Sequence, residues 1–245
     1  MRRLLPSPGE LDDAGLVAAY RPPTGRALRA NFVVSLDGAV TVGGRSGALG
    51  SPGDRRIFTL LRALADAVLV GHGTAAVEGY GPITADSPVG RWRTTLGRPV
   101  TAPIVVVSRR ASLDPGSRLV TEAVSPTVLV TCEASDPGRR AALAGAGVRV
   151  LVCGNDDVDL PTALDRLADL GLQQVLCEGG PHLFRDALRA GVVDELALSL
   201  SPSLVGAAGA RLLGEELADR VTLDLRQVLE EDGLLFTRYG IRAAR

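Results

Sequence analysis

Six short runs of Val, Leu and Ile, spread over residues 28–177, constrain the fold of this chain more than any other feature. They lie at 28–34, 67–71, 104–108, 127–131, 148–153 and 174–177. Several are almost continuously apolar, the pattern of strands covered on both faces. Helix signals alternate with them. Ser51-Pro52 supplies a cap and a first helical residue for a helix through Ala65, with Ile57, Leu60, Leu61 and Leu64 on one face. Asp136-Pro137 opens another helix through Leu143, Pro161 one through Leu170, and Pro181 a fourth. This alternation predicts an α/β fold, a mainly parallel twisted sheet with right-handed crossovers and helices on both faces. After residue 194 the pattern changes. Runs at 195–201, 221–228 and 234–239 have short connections, which predicts an antiparallel end to the sheet. Segments 41–53 and 79–102, rich in Gly, Pro and polar residues, read as long loops over a site. No composition break divides the chain. Residues 1–26 are expected to form an N-terminal extension and 27–245 a single domain.

Composition removes several chemistries. All 27 basic residues are arginine, which excludes a Schiff-base lysine and a Walker-type phosphate loop. The two histidines, His72 and His182, are too few for most histidine-built metal sites, and no metal is expected. No Gly-x-Ser-x-Gly elbow supports serine hydrolysis. Cys132, Cys153 and Cys177 form no Cys-x-x-Cys pair and each lies at or near the end of an apolar run, so buried free thiols are expected. A net charge of −1 gives no sign of a nucleic-acid surface. No apolar run has membrane-spanning length, and residues 1–30 lack the apolar core of a signal peptide. A cytoplasmic protein with neither nucleic-acid nor membrane partners is expected. A chain this short of conventional catalytic side chains suits chemistry carried by a cofactor.

The segment 173–186 offers a place for one. A strand ending at Cys177 meets Glu178, then Gly179 and Gly180, then Pro181 at the start of an amphipathic run. Glycines let backbone amides approach a ligand, and unpaired amides at a helix start attract phosphates. A βα turn kept tight by glycine fits the same residues. Three further strand ends carry polar or glycine-rich sequence, at 35–38, 71–78 and 108–110. Open parallel sheets bind ligands at such ends, so a nucleotide-binding α/β protein is the reading that joins all four.

Six motifs in order then give a family likeness: Ser35-Leu36-Asp37-Gly38, Leu61-Arg62-x-x-Ala65-Asp66-Ala67, Val70-Gly71-x-Gly73-Thr74, Glu178-Gly179-Gly180-Pro181, Val193-Asp194-Glu195-Leu196 and Ser201-Pro202-x-Leu204-Val205-Gly206. Over about residues 28–240 the chain resembles the reductase domain of riboflavin biosynthesis, which has a dihydrofolate-reductase-like fold. The resemblance implies a homodimeric, NADPH-dependent reductase of a pyrimidine bearing a ribosylamino 5′-phosphate. It implies cofactor contacts at Val33, Gly71, Thr74, Gly179, Gly180, Pro181, His182 and Leu183, and substrate contacts at Asn31, Ser46, Arg62 and Glu178. Ser108 and Arg109, after a strand, resemble a 2′-phosphate site that selects NADPH. Glu78 stands where the family commonly has aspartate beside nicotinamide and substrate, and is the expected catalytic acid. The zinc-deaminase motifs of bifunctional relatives are absent, so a stand-alone reductase is expected.

Each residue also has a plainer reading. Thr74 and Glu78, four apart on one helical face, suit a cap and an exposed acid. Arg62 suits a surface pair with Asp66. Ser108, Arg109 and Arg110 suit a solvated loop, Ser46 a loop serine, and Asp37 a turn before Gly38. The chain also departs from the family. Asn31 replaces a common lysine, Ala48 a tryptophan, and Gly79-Tyr80-Gly81-Pro82 stands where a downstream Leu-Thr-x-Arg would help clamp the substrate phosphate. Arg91 and Arg93 are the substitutes nearest in sequence. The missing clamp keeps two alternatives open, a pteridine reductase of the same fold and a nucleotide-binding protein without catalysis.

Overall fold

In the computed structural model, which describes residues 1–207, 209–214, 217 and 219–242, the strands join in one eleven-stranded sheet. The strands are β1 (Arg2–Leu5), β2 (Gly9–Glu10), β3 (Ala27–Ser35), β4 (Ala67–Gly71), β5 (Ile104–Val107), β6 (Val128–Thr131), β7 (Arg149–Val152), β8 (Gln174–Cys177), β9 (Glu195–Ser201), β10 (Leu223–Glu231) and β11 (Leu234–Ile241). The helices are α1 (Asp13–Ala19), α2 (Pro52–Leu64), α3 (His72–Glu78), α4 (Pro88–Thr95), α5 (Arg118–Thr121), α6 (Pro137–Gly145), α7 (Leu160–Asp169) and α8 (Pro181–Arg189). The sheet order is β2-β1-β10-β11-β9-β3-β8-β4-β5-β6-β7. Pairing is parallel from β9 to β7 and antiparallel from β9 to β2, with the switch at β9. This is the mainly parallel sheet with an antiparallel end that the alternation predicts.

Strand β4 shows why both faces are covered. Alternate side chains point to opposite sides, and all of Ala67, Val68, Leu69 and Val70 are apolar. Ala67 and Leu69 join a core with Leu164 and Leu167 of α7 and Phe184 of α8. Val68 and Val70 join another with Val89 of α4 and Leu143 of α6. A third core lies under α1 and α2, where Leu16, Tyr20, Ile57, Leu60, Leu61 and Leu64 meet Ala197, Leu229 and Phe236. The capping signals act as expected: Ser51 Oγ accepts from the Asp54 N–H and Pro52 opens α2, while Asp136 caps α6 and Asp159 caps α7. The three cysteines are free and buried. Among the described residues no helix is long and apolar enough to cross a membrane.

Segment 79–102 is not a loop throughout, because Ser87-Pro88 opens α4 by the same device that opens α2. The signal is weak in sequence, since α4 buries only Val89, Gly90 and Arg93. Residues 1–26 supply β1, β2 and α1; β1 pairs with β10, and Leu16 and Tyr20 are fully enclosed. The run expected at 221–228 forms β10 at Leu223–Glu231, with a bulge between Leu225 and Gln227.

Candidate active site

The ends of β3, β8, β4 and β5 are neighbours along the carboxyl edge of the sheet, so the four segments singled out from sequence converge there. A cavity of about 540 Å³ opens between α2, α3, the 41–53 loop and the ends of β3 and β8. Asn31, Val33, Ser46 and Arg62 line it, as do Thr74, Glu78, Glu178, Gly180 and Pro181. Gly71, Gly179, Ser108, Arg109, His182 and Leu183 lie outside its wall.

Gly179 and Gly180 are required by close packing. A Cβ on Gly179, where φ is +77°, would lie 2.6 Å from Phe32 Cζ. One on Gly180 would lie 2.5 Å from Thr74 Oγ1. The Gly71 N–H donates to the Gly179 carbonyl at 2.7 Å, which ties the start of α3 to the start of α8. Helices α3, α5 and α8 have no side-chain N-cap, whereas α1, α2, α4, α6 and α7 all do; of the uncapped three, α3 and α8 start at this edge. The open amides of α8, beside glycines that a Cβ would fill, fit a diphosphate. Leu183 is buried in the core and His182 is exposed, so the former serves packing. Ser108 and Arg109 follow the end of β5, beyond β4, farther along the same edge. Ser108 Oγ accepts from the Ser112 N–H at 2.9 Å, and Arg109 is exposed.

The cavity floor holds an ion pair that sequence spacing does not reveal. Arg62 Nε and Nη2 donate to the two Glu178 carboxylate oxygens, each at 2.7 Å. Arg62 and Glu178 are 15% and 3% exposed at their side chains, so this is a buried bidentate pair and not the surface pair with Asp66. The Tyr80 hydroxyl donates to Glu178 Oε2. The Arg62 guanidinium lies 4.3 Å from the Phe58 ring centre and 5.0 Å from that of Tyr80. Burial works most strongly against the Arg62 cation, yet the Glu178 charge and hydrogen bonds, with Tyr80 adding to them, together outweigh it and hold the guanidinium above its usual range. Burial first, then the Glu178 charge, raise the Tyr80 phenol well above its ordinary value. Asp66 instead pairs with Arg98 and accepts from the Gln173 and Gln174 amides.

Glu78 Oε1 accepts from the Ser46 N–H at 2.9 Å, which fastens the 41–53 loop to α3. Asp37 follows its turn reading. Its carboxylate takes the Ser35 hydroxyl and the Val205 and Gly206 amides, and these bonds hold it far below the carboxylate range. Arg93 does not reach the cavity: its guanidinium is buried and donates to the Ala63, Ala65 and Pro99 carbonyls, and burial pulls its pKa down to about 10. Arg91 donates to the Asp86 carbonyl, also away from the wall.

Among the cavity residues that the sequence reading did not assign to the site are Asp54, Arg55, Phe58 and Tyr80. Asp54, Phe58 and Arg62 recur every four positions, a second stripe on α2 beside its apolar one, and that spacing was the available signal. Burial raises the Asp54 carboxyl, which the Ser199 hydroxyl and the Arg55 charge offset only in part.

The RibD C-terminal domain family matches residues 26–233. The 2,5-diamino-6-ribosylamino-4(3H)-pyrimidinone 5′-phosphate reductase of Methanothermobacter thermautotrophicus is 33% identical over 86% of this chain and 96% of its own. The riboflavin biosynthesis protein RibD of Bacillus amyloliquefaciens is 27% identical over 71% of this chain; the match spans 46% of that longer protein. Among solved structures, a pyrimidine reductase-like protein from Corynebacterium diphtheriae superposes with a TM-score of 0.79 at 28% identity, covering 89% of this chain and 93% of that one.

Proposed function

Because the chain belongs to the RibD C-terminal domain family, we propose that it is a riboflavin-pathway reductase that transfers a hydride from NADPH to a ribosylaminopyrimidine 5′-phosphate of the 5-amino-6-(5-phosphoribosylamino)uracil type. The observation that carries this reading is the junction of two features: the Gly179-Gly180 cradle and the cavity share Gly180, Pro181 and Thr74. These residues would hold a dinucleotide beside the cavity, which has room for a second small molecule.

The cofactor supplies the hydride from its reduced nicotinamide. The amides at the start of α8 and the edge of Gly71 would hold the diphosphate, and Ser108 and Arg109 would extend the edge toward a 2′-phosphate. Val33 and Thr74 line the passage between. The bidentate Arg62–Glu178 pair presents a fixed polar floor to the heterocycle, and Asn31 adds an amide to the same wall. Ser46 places the loop over the site and shields the acceptor carbon from water. As the sugar ring opens, its oxygen takes up a proton. Glu78 or a water is the donor in this reading; Asp54, its carboxyl raised by burial, is a further acid in the cavity.

The test is loss of reduced-nicotinamide absorbance when the phosphorylated pyrimidine is added, followed for the wild type and Glu78→Gln. The variant should lower kcat and alter its pH profile. Unchanged turnover and profile would remove Glu78 from proton transfer. A second reading, a pteridine reductase, is favoured by one observation: Arg62, Arg91 and Arg93 all engage protein partners. Competing turnover of the pyrimidine and a dihydropteridine separates the two. Cofactor binding without oxidation against either substrate would instead support a non-catalytic protein.

A further inference from the structure

A phosphorylated substrate needs a cation in the cavity, and the arginines can be sorted by what they already hold. Arg62 is fixed by both oxygens of Glu178 and stacked between Phe58 and Tyr80. Arg93 is enclosed by backbone carbonyls, and Arg211 bonds Asp37. Arg55 differs. It lines the cavity and is exposed, and the one carboxylate its charge acts on is that of its chain neighbour Asp54, with no salt bridge closed between them among the described residues. We propose that Arg55 is the residue that takes the substrate's 5′-phosphate, an assignment that rests on the reading above.

Three observations support the placement. Arg55 and Arg62 are seven residues apart on α2, about two turns, so both face the cavity with roughly 10 Å between them along the helix axis. That separation matches a pyrimidine on the Arg62–Glu178 floor joined by an extended five-carbon chain to a phosphate at Arg55. The acid beside Arg55 is Asp54, and its burial favours the protonated form, which weakens repulsion of a dianion. Arg55 also lies in the first turn of α2, the positive end of a thirteen-residue helix. A guanidinium matches phosphate geometry with two parallel N–H donors.

The experiment uses a matched pair of substrates, the phosphorylated pyrimidine and the same compound after phosphatase treatment, with the wild type, Arg55→Gln and Arg55→Lys. Arg55 is exposed, so folding should survive, and thermal unfolding checks it. The wild type should prefer the phosphorylated compound. Arg55→Gln should lower kcat/KM for it about 100-fold and collapse the ratio between the two compounds toward one. Arg55→Lys, which keeps the charge without the fork, should restore part of that ratio. If Arg55→Gln leaves the ratio at its wild-type value, the assignment is overturned while the reductase reading stands. A wild type that treats both compounds alike also overturns it, because no phosphate clamp is then at work. A wild type that reduces neither overturns the reductase reading and the clamp with it.

Discussion

Removal of the Glu178 carboxylate would leave the Arg62 guanidinium enclosed beside two aromatic rings with no counter-charge. Breaking a buried pair from one side costs far more than the pair contributes over an apolar substitute. Glu178→Gln should therefore lose about 3 kcal/mol in urea unfolding along with most of its activity. Tyr80→Phe, which keeps the ring over Arg62 and loses one bond to a charged acceptor, should lose about 2 kcal/mol. Asp54 and Asp37 should give opposite pH signatures. The Asp54 carboxyl is raised by burial, so the folded protein keeps its proton where the unfolded chain has released it. That contribution is whole below the ordinary carboxylate value and is lost as pH rises through the raised one. The stability advantage of Asp54→Asn over the wild type should thus grow with pH across that window. Asp37 is lowered by the Ser35 and backbone hydrogen bonds, so its contribution is present above the ordinary value and lost as pH falls. Chemical denaturation at a series of pH values reads both. At this scale the sequence named Arg62 and Glu178 separately. Their union was not legible, because 116 residues separate them and no periodicity spans that gap. Asp54 was hidden for another reason: an acid in the first turn of a helix needs no further explanation.

Helices α3 and α8 begin without side-chain caps and are joined by the Gly71–Gly179 hydrogen bond. A side chain at Gly180 would meet Thr74 Oγ1 at 2.5 Å, so the hydroxyl or the turn must move. Gly180→Ala should weaken NADPH binding at least tenfold by calorimetric titration, while thermal unfolding shifts by only a few degrees. Similar losses of affinity and stability would make the glycine a packing residue alone. Most elements were legible because apolar runs and Ser-Pro or Asp-Pro caps state their own limits, as at α2 and α6. Helix α4 was not, since its most informative buried residue is a charged one. Arg93 earns its place by capping the carbonyls at the end of α2, a contact no local pattern encodes.

Across the molecule, the sheet is covered unevenly. The register of β9, β11 and β10 places Leu198, Leu200, Leu235, Tyr239, Ile241, Leu223 and Leu225 on one face. Leu223 and Leu225 remain 38% and 48% exposed there. Such a face suits burial against a second copy of the chain, the homodimer that the family resemblance implies. If the chain forms that homodimer through this face, Leu225→Glu should yield a monomer in sedimentation velocity; a wild type already monomeric would remove that role from the face. The sheet order carries one more consequence, for the way the protein is made. Strand β8 is inserted between β3 and β4, and β3 has its other neighbour in β9. Strand β3 is therefore synthesised about 140 residues before either partner exists. Within the parallel part of the sheet, only β4 to β7 can pair in the order in which they leave the ribosome. The edge that frames the cavity is completed only when β8, the short strand that leads into Glu178, arrives between β3 and β4, so the cavity cannot form before nearly three quarters of the chain has been made.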